Sequence, residues 1–370
     1  MNSPNSCSNI LTAMSCVLGL SAGMAFADST SVEQPPAEVK AAPPAPEKPK
    51  GAVSIKVFAE WFYDITDGVD KESGFDLTRA YLGYKHDFAD NISANVTLDV
   101  GRSNEVISVT AVYDTLTRRV TTTTTTDTRY KAFLKTAGLK YQNILPLTTL
   151  EAGIVGTNLF SVPEKFWGYR YVYKSFMDQN GYGASADLGA KVSVKAADFL
   201  TVNAEVLNGE GFTKPQDARG FYKASGSVDV KLPMGLCVTG YYDYLPLREP
   251  LAATSVIAGF VGYEMKDMFR VGAEGDMLMA KNGVDTLNLT GISAYGAYIV
   301  NKQIEVFARF DMLSSENDWN VATDGQTIVA GVHFSPVKGV KLAADYQGFT
   351  SSVSGTDPQP KVKVNLEYSL

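Results

Sequence analysis

The residue types best suited to acting on a small charged solute gather in one stretch. Glu164, Lys165, Arg170, Lys174 and Asp178 surround Phe166-Trp167-Gly168-Tyr169-Arg170-Tyr171-Val172, the densest aromatic run in the chain. No nucleophile sits there beside a base. What the stretch offers is fixed charge, and where a passage is narrow and its water thin a few charged groups decide which ions pass. The same residues have a simpler use, in which the aromatics pack the segment against a wall and Arg170 stacks on a ring. The sequence alone leaves both uses open.

Turnover chemistry finds little support elsewhere. There are two histidines, His86 and His333, with no metal-ligand spacing and no Ser/His arrangement, so the chain reads as a non-enzyme without cofactor or metal. Asn208-Gly209-Glu210-Gly211 follows an expected strand but opens no helix, which argues against a phosphate-cradling loop. The net charge is −7, from 33 basic and 40 acidic residues, and no basic block marks a nucleic-acid partner.

The elements that must position these residues begin after two leader segments. Residues 1–27 carry no charged side chain, run through an apolar core from Ile10 to Leu20 and end in Ala25-Phe26-Ala27, as a cleaved signal peptide does. Cys7 and Cys16 would leave with it, so Cys237 would stand alone and no internal disulfide could form. Residues 28–50, rich in Pro, Ala, Glu and Lys, read as an extended periplasmic leader. Beyond them no apolar run approaches the roughly 20 residues that a membrane helix needs.

From residue 51 to 370 the chain alternates apolar and polar residues in sixteen segments: 53–64, 75–87, 91–101, 130–141, 148–157, 181–195, 198–207, 221–232, 235–244, 254–265, 268–279, 287–300, 303–312, 325–335, 339–349 and 361–370. Short and long connections take turns between them. That beat predicts an all-β fold, a 16-stranded antiparallel transmembrane β-barrel with short periplasmic turns and long extracellular loops. Outward aromatics fall at both ends of the strands, Trp61, Tyr63, Tyr242, Tyr244, Phe310 and Tyr346 at one level and Tyr84, Tyr141, Tyr263, Tyr298, Phe334 and Tyr368 at the other, as two interfacial girdles require. The last segment, Val362 to Leu370, keeps strict alternation to the final residue, and Tyr368 and Leu370 read as a signal to the barrel-assembly machinery.

Two places break the beat. Parity in 130–141 would aim Lys135 at lipid, at a cost of about 2–4 kcal/mol, so a bulge near Gly138 is expected to turn it inward. Arg102 to Arg129, with its Thr121–Thr126 run, reads either as a hairpin continuing the flanking strands or as a disordered Thr-rich loop.

Phe75-Asp76-Leu77-Thr78-Arg79-Ala80-Tyr81-Leu82-Gly83-Tyr84, the 164–177 stretch, Asn208-Gly209-Glu210-Gly211 and Ala308-Arg309-Phe310-Asp311 together resemble the phosphate-selective porin (O and P) family over most of residues 51–370. The resemblance implies a trimeric outer-membrane porin of a Gram-negative bacterium, anion-selective through basic residues lining its pore. By count, 158–180 is then the third extracellular loop, the one that folds into the lumen of sixteen-stranded porins. Glu164, Lys165, Arg170 and Lys174 are expected at that constriction, with Arg79, Arg270, Glu274, Asp276, Glu305, Arg309 and Asp311 on the wall.

With the irregular segment 130–141 left aside, inward parity gives ten bases (Lys56, Arg79, Lys85, Lys191, Lys223, Lys231, Arg270, Arg309, Lys341 and Lys363) against fourteen acids (Glu60, Asp99, Glu151, Asp187, Glu205, Asp229, Asp243, Glu264, Glu274, Asp276, Glu305, Asp311, Asp345 and Glu367). Pairs such as Arg270 with Glu274 and Arg309 with Asp311 would cancel part of this. A slightly acidic lumen does not attract phosphate by its average field. The expected function is passive diffusion of small hydrophilic solutes or ions, with outer-membrane lipid outside. A phosphate or other anion channel is the alternative on the same fold, and a structural surface antigen or adhesin barrel the alternative from another class.

Overall fold

Sixteen of the alternating segments close into one antiparallel barrel. The computed structural model describes residues 50–102, 106–114, 118–216 and 220–370; the expected signal peptide and nearly all of the expected leader lie outside them. In chain order the strands are β1 (Gly51–Asp64), β2 (Ser73–Ala89), β3 (Ile92–Arg102), β4 (Val106–Asp114), β5 (Arg119–Thr126), β6 (Tyr130–Gln142), β7 (Thr148–Gly156), β8 (Ala186–Ala197) and β9 (Leu200–Leu207). They continue as β10 (Lys223–Lys231), β11 (Leu236–Leu245), β12 (Thr254–Met265), β13 (Phe269–Met279), β14 (Leu289–Ile299), β15 (Ile304–Ser315), β16 (Gly325–Val337), β17 (Val340–Ser351) and β18 (Gln359–Ser369).

Every strand of the barrel pairs with its neighbours in the chain except where β3 meets β6 and where β1 meets β18. The first exception arises because β4 and β5 form a separate two-stranded ribbon, so the long Thr-rich segment is a hairpin with its own sheet. The second closes the cylinder, from Lys56 opposite Ser369 to Asp64 opposite Lys361. At the seam Leu370 N–H donates to Ile55 O at 3.0 Å, so the alternating C-terminal segment is the last stave. Closure gives each barrel strand a hydrogen-bonded neighbour on both sides, the condition for strands to stand in hydrocarbon.

Side-chain placement is inverted relative to a water-soluble fold. Val96, Leu139, Val202, Val238, Ile257, Val261, Val271, Ile292, Ile328 and Val364 face outward and are exposed. A continuous apolar exterior of this kind suits lipid. Tyr84, Tyr298, Phe334 and Tyr368 point outward beside the short turns, and Tyr63, Tyr242 and Tyr244 outward beside the long loops, as the girdle reading expects.

The bulge in β6 falls at Lys135 and not near Gly138. Thr97 faces Thr136 and Leu98 faces Leu134, leaving Lys135 as the extra residue, and its ammonium reaches Asp99 in the lumen at 3.4 Å. The ammonium is itself the group that hydrocarbon excludes, so the bulge forms where the charge is. A second bulge was not expected: Thr78 is skipped between Phe58–Arg79 and Ala59–Leu77, and it turns from the outward face into the lumen, where its hydroxyl donates to Phe58 O at 3.3 Å.

β8 begins at Ala186, five residues later than expected. The residues it gives up lengthen the connection from β7, which holds α1 (Ser161–Trp167) and α2 (Phe176–Gln179). The apolar clusters of the described residues lie inside the barrel, between this connection and the wall.

Candidate functional site

The connection 157–185 folds into the lumen because its aromatics find a prepared surface there. Phe166 packs edge-on to Phe260 with ring centroids 5.2 Å apart, and Trp167 packs against Tyr295 at 5.2 Å and Phe307 at 5.8 Å. Gly291 on β14 makes room for Phe176: a Cβ there would lie 2.1 Å from its ring. Gly168, in the left-handed conformation at φ +78°, ends α1 with its N–H donating to Glu164 O at 3.1 Å. Only glycine takes that conformation at no cost, and it turns the chain so that Tyr169 meets the wall while Arg170 faces the opening.

Side-chain hydrogen bonds then run both ways between wall and loop. Tyr295 Oη donates to Pro163 O at 3.0 Å, Tyr171 Oη to Leu342 O at 3.1 Å, and Gln347 Nε2 to Val172 O at 3.2 Å. Arg309 is the deepest of these contacts. Its side chain has no exposed area, forks onto Asp311 at 2.8 and 2.7 Å, donates to Lys174 O at 2.7 Å, and lies over the rings of Trp167 and Tyr173.

The loop covers one side of the lumen and leaves the other open. Toward the long loops a cavity of about 250 Å³ is lined by Thr78, Arg79, Arg170, Lys174, Lys363 and Glu60. Toward the short turns a cavity of about 690 Å³ is lined by Lys56, Lys135, Lys165, Arg170 and Lys341, with Glu164, Asp178 and Glu367. Phe58 and Arg170 border both, which places the narrowing between β1 and the loop. A third cavity of about 510 Å³ shares Lys165, Gly168 and Lys341 with the second and adds Lys231, Arg270, Glu264 and Glu305.

At the narrowing, Arg170 is held from two sides. Its Nε lies 3.1 Å from Glu164 and its Nη2 2.9 Å from Asp178. Across the opening Arg79 and Lys135 share Asp99, at 3.1 and 3.4 Å, and Lys135 stands 4.9 Å over the Tyr81 ring. Lys174 has no carboxylate within 4 Å among the described residues. Burial lowers its pKa, opposed by the nearby charge of Asp178. Burial raises the Glu164 carboxyl, opposed by Arg170.

Of the expected constriction residues, Glu164, Lys165, Arg170 and Lys174 all border the open space, and the aromatics between them pack. The wall set divides. Arg79, Arg270 and Glu305 face the cavities. Glu274, Asp276, Arg309 and Asp311 do not: all are buried behind the loop, because the covered side of the lumen is the side that carries them. Arg270 pairs with Glu305 at 3.0 Å rather than with Glu274, and stacks on Tyr169. Arg309 and Asp311 pair as expected. Tyr368 faces outward beside Val57, and Leu370 sits at the seam.

Burial, behind the loop or by wall partners, changes the charge balance. Nine of the fourteen inward acids are buried, namely Asp99, Asp187, Glu205, Asp243, Glu274, Asp276, Asp311, Asp345 and Glu367, whereas Arg309 is the one buried base of the ten. Among the described residues the 250 Å³ cavity sets four bases against Glu60. Phe58 and Tyr81 were not among the expected site residues, and Asp99 and Lys135 were expected to face inward without a place at the constriction. Their signal was present as an aromatic pair at inward positions and a lysine at forbidden parity.

Fold and site together define a porin-type barrel: sixteen antiparallel strands, closed, with a loop laid inside. No family model matches the chain, and no curated protein matches it. Solved structures do. Salmonella typhi OmpF in complex with daunomycin is 12% identical over 86% of this chain and 97% of its own, with a TM-score of 0.60. Pseudomonas putida OprB, in its high-pH structure, is 7% identical over 87% of this chain and 94% of its own, at 0.63. The outer membrane channel DcaP of Acinetobacter baumannii is 10% identical over 86% and 97%, at 0.58. At such identities the likeness speaks to the fold.

Proposed function

We propose that the chain is an outer-membrane porin of a Gram-negative bacterium through which small hydrophilic solutes and ions diffuse passively, without turnover chemistry. The observation that carries this reading is the loop bound inside the lumen, with Arg170 and Phe58 bordering open space on both sides. Such a device restricts size and fixes charge at one level and has no evident purpose in a surface antigen. Export would follow cleavage after Ala27, with residues 28–50 as a periplasmic leader and Tyr368 and Leu370 read by the barrel-assembly machinery. A homotrimer accords with the family resemblance.

A second reading, an anion-preferring channel, is favoured by the surplus of bases along the open passage. A row of fixed positive charge raises the local concentration of anions. Phosphate is one such anion, and nothing in the geometry singles it out. Proteoliposome swelling separates these readings: neutral sugars should enter at rates that fall with their size, and faster swelling with small anions than with matched cations would add the preference. Entry of phosphate alone would replace general diffusion by a specific channel, and no swelling would remove both.

A further inference from the structure

Four long loops enclose a further chamber, of about 580 Å³, apart from the narrowing. They come from residues 181–184, 208–213, 245–251 and 281–282, and they are tied together. Ala252 N–H donates to Gly283 O at 2.9 Å, Phe212 N–H to Ala186 O at 3.0 Å, and Gly209 N–H to the Asp187 carboxylate at 2.6 Å. Gly211 stands at φ +86°, where a Cβ would lie 2.4 Å from that of Ala184, so glycine is what lets the two loops meet. A preformed chamber of this size falls within the range of small-ligand sites.

Its walls are of two kinds. Phe221, Leu245, Leu247, Leu251 and Leu278 supply apolar surface. Opposite in character are Lys223, Arg248 and Lys281, with Glu210 the one acid lining the chamber among the described residues. Lys223 is engaged by Asp243 at 3.1 Å. Lys281 is half-buried and has no carboxylate within 4 Å among the described residues; its ring neighbour is Trp319, at 5.5 Å. Burial depresses its ammonium. A cation withdrawn from water without a partner is a cost that a bound anion would offset. The ammonium also stands close to the Gly181 backbone, at the foot of the loop that narrows the lumen.

We propose that this chamber captures small monocarboxylates that carry an apolar body, the carboxylate set on Lys281 and Arg248 and the hydrocarbon laid on the leucines. Only the idea that the ligand then moves on through the lumen rests on the porin reading; the binding itself does not.

Calorimetric titration of the full mature protein in detergent with benzoate, acetate and benzyl alcohol tests the pocket. Benzoate should saturate one site, with acetate and benzyl alcohol each about tenfold weaker, since one lacks the apolar body and the other the charge. Lys281→Gln should weaken benzoate by about tenfold, and Arg248→Gln, at an exposed position where folding is not at stake, should weaken it in the same direction. Benzoate binding no tighter than acetate, or unchanged in both variants, overturns the proposal. Conductance of the same preparation keeps the two readings apart: a protein that conducts without binding benzoate loses the pocket alone, and one that binds without conducting keeps the pocket and loses the channel.

Discussion

Arg309, on the wall, donates a 2.7 Å hydrogen bond to the main-chain carbonyl of Lys174, on the loop inside the lumen. The guanidinium is fully buried and forked onto Asp311, so it serves as a bolt and not as part of a charged ladder. Truncating it should leave Asp311 buried without a partner, at a cost of about 3–5 kcal/mol. Arg309→Ala should therefore lower the thermal midpoint and free the loop to give a larger, noisier conductance. Gly291→Val, which drives a side chain into Phe176 without touching a charge, should loosen the loop likewise at about 1–3 kcal/mol. Single-channel traces beside thermal melts check both.

Arg170 is the charge that both cavities share. Arg170→Ala removes it and leaves Glu164 and Asp178 facing the opening. The ion preference should move toward cations and the step size should rise, with the folded, heat-modifiable band on a gel unchanged. Reversal potentials in a KCl gradient read the shift; equal potentials in both proteins would mean that Arg170 does not border the conducting path.

Acidity should tune the same opening. Because burial raises the Glu164 carboxyl, it takes up a proton at a pH above the ordinary carboxylate range, while Arg170 stays charged. Anion preference should thus increase as the pH falls toward that range, and Glu164→Gln should abolish the step. The folded protein binds this proton more readily than the unfolded chain, so Glu164 favours the fold at low pH, and that contribution is lost as pH rises through its raised value. Lys174, lowered by burial, should lose its charge earlier on the alkaline side than a free lysine and weaken anion preference there.

The seam extends to Leu370. Leu370 and Ile55 exchange backbone hydrogen bonds at 3.0 and 3.4 Å, and deleting Leu370 removes both, about 1–2 kcal/mol together, along with the end of the alternating strand. The fraction of heat-modifiable barrel in outer-membrane preparations should fall. Full insertion of the truncated chain would show that the terminal residue carries no assembly information.

Much of the fold was legible because a barrel wall is a period-two object: inward or outward is decided residue by residue, and lipid enforces it. That is why the sixteen segments and the aromatic levels stand close to where alternation puts them. Parity is blind to what covers a wall residue. Glu274 and Asp276 face inward as read, yet the loop lies over them. Cross-strand partners also depend on the stagger between strands, so Arg270 meets Glu305, two strands away, and not Glu274 on its own strand. The bulges show a similar limit. A lysine at forbidden parity announced that one was needed in β6, but its place was set by Lys135 and not by the nearest glycine, and Thr78, polar and small, announced nothing.

The most direct test of a water-filled lumen narrowed by a positively biased loop is a planar-bilayer recording of the purified mature protein under a KCl gradient. Discrete open-channel steps are expected, with a reversal potential on the chloride side that moves toward potassium in Arg170→Ala. An absence of steps, or a cation-side potential that Arg170→Ala leaves in place, would contradict it.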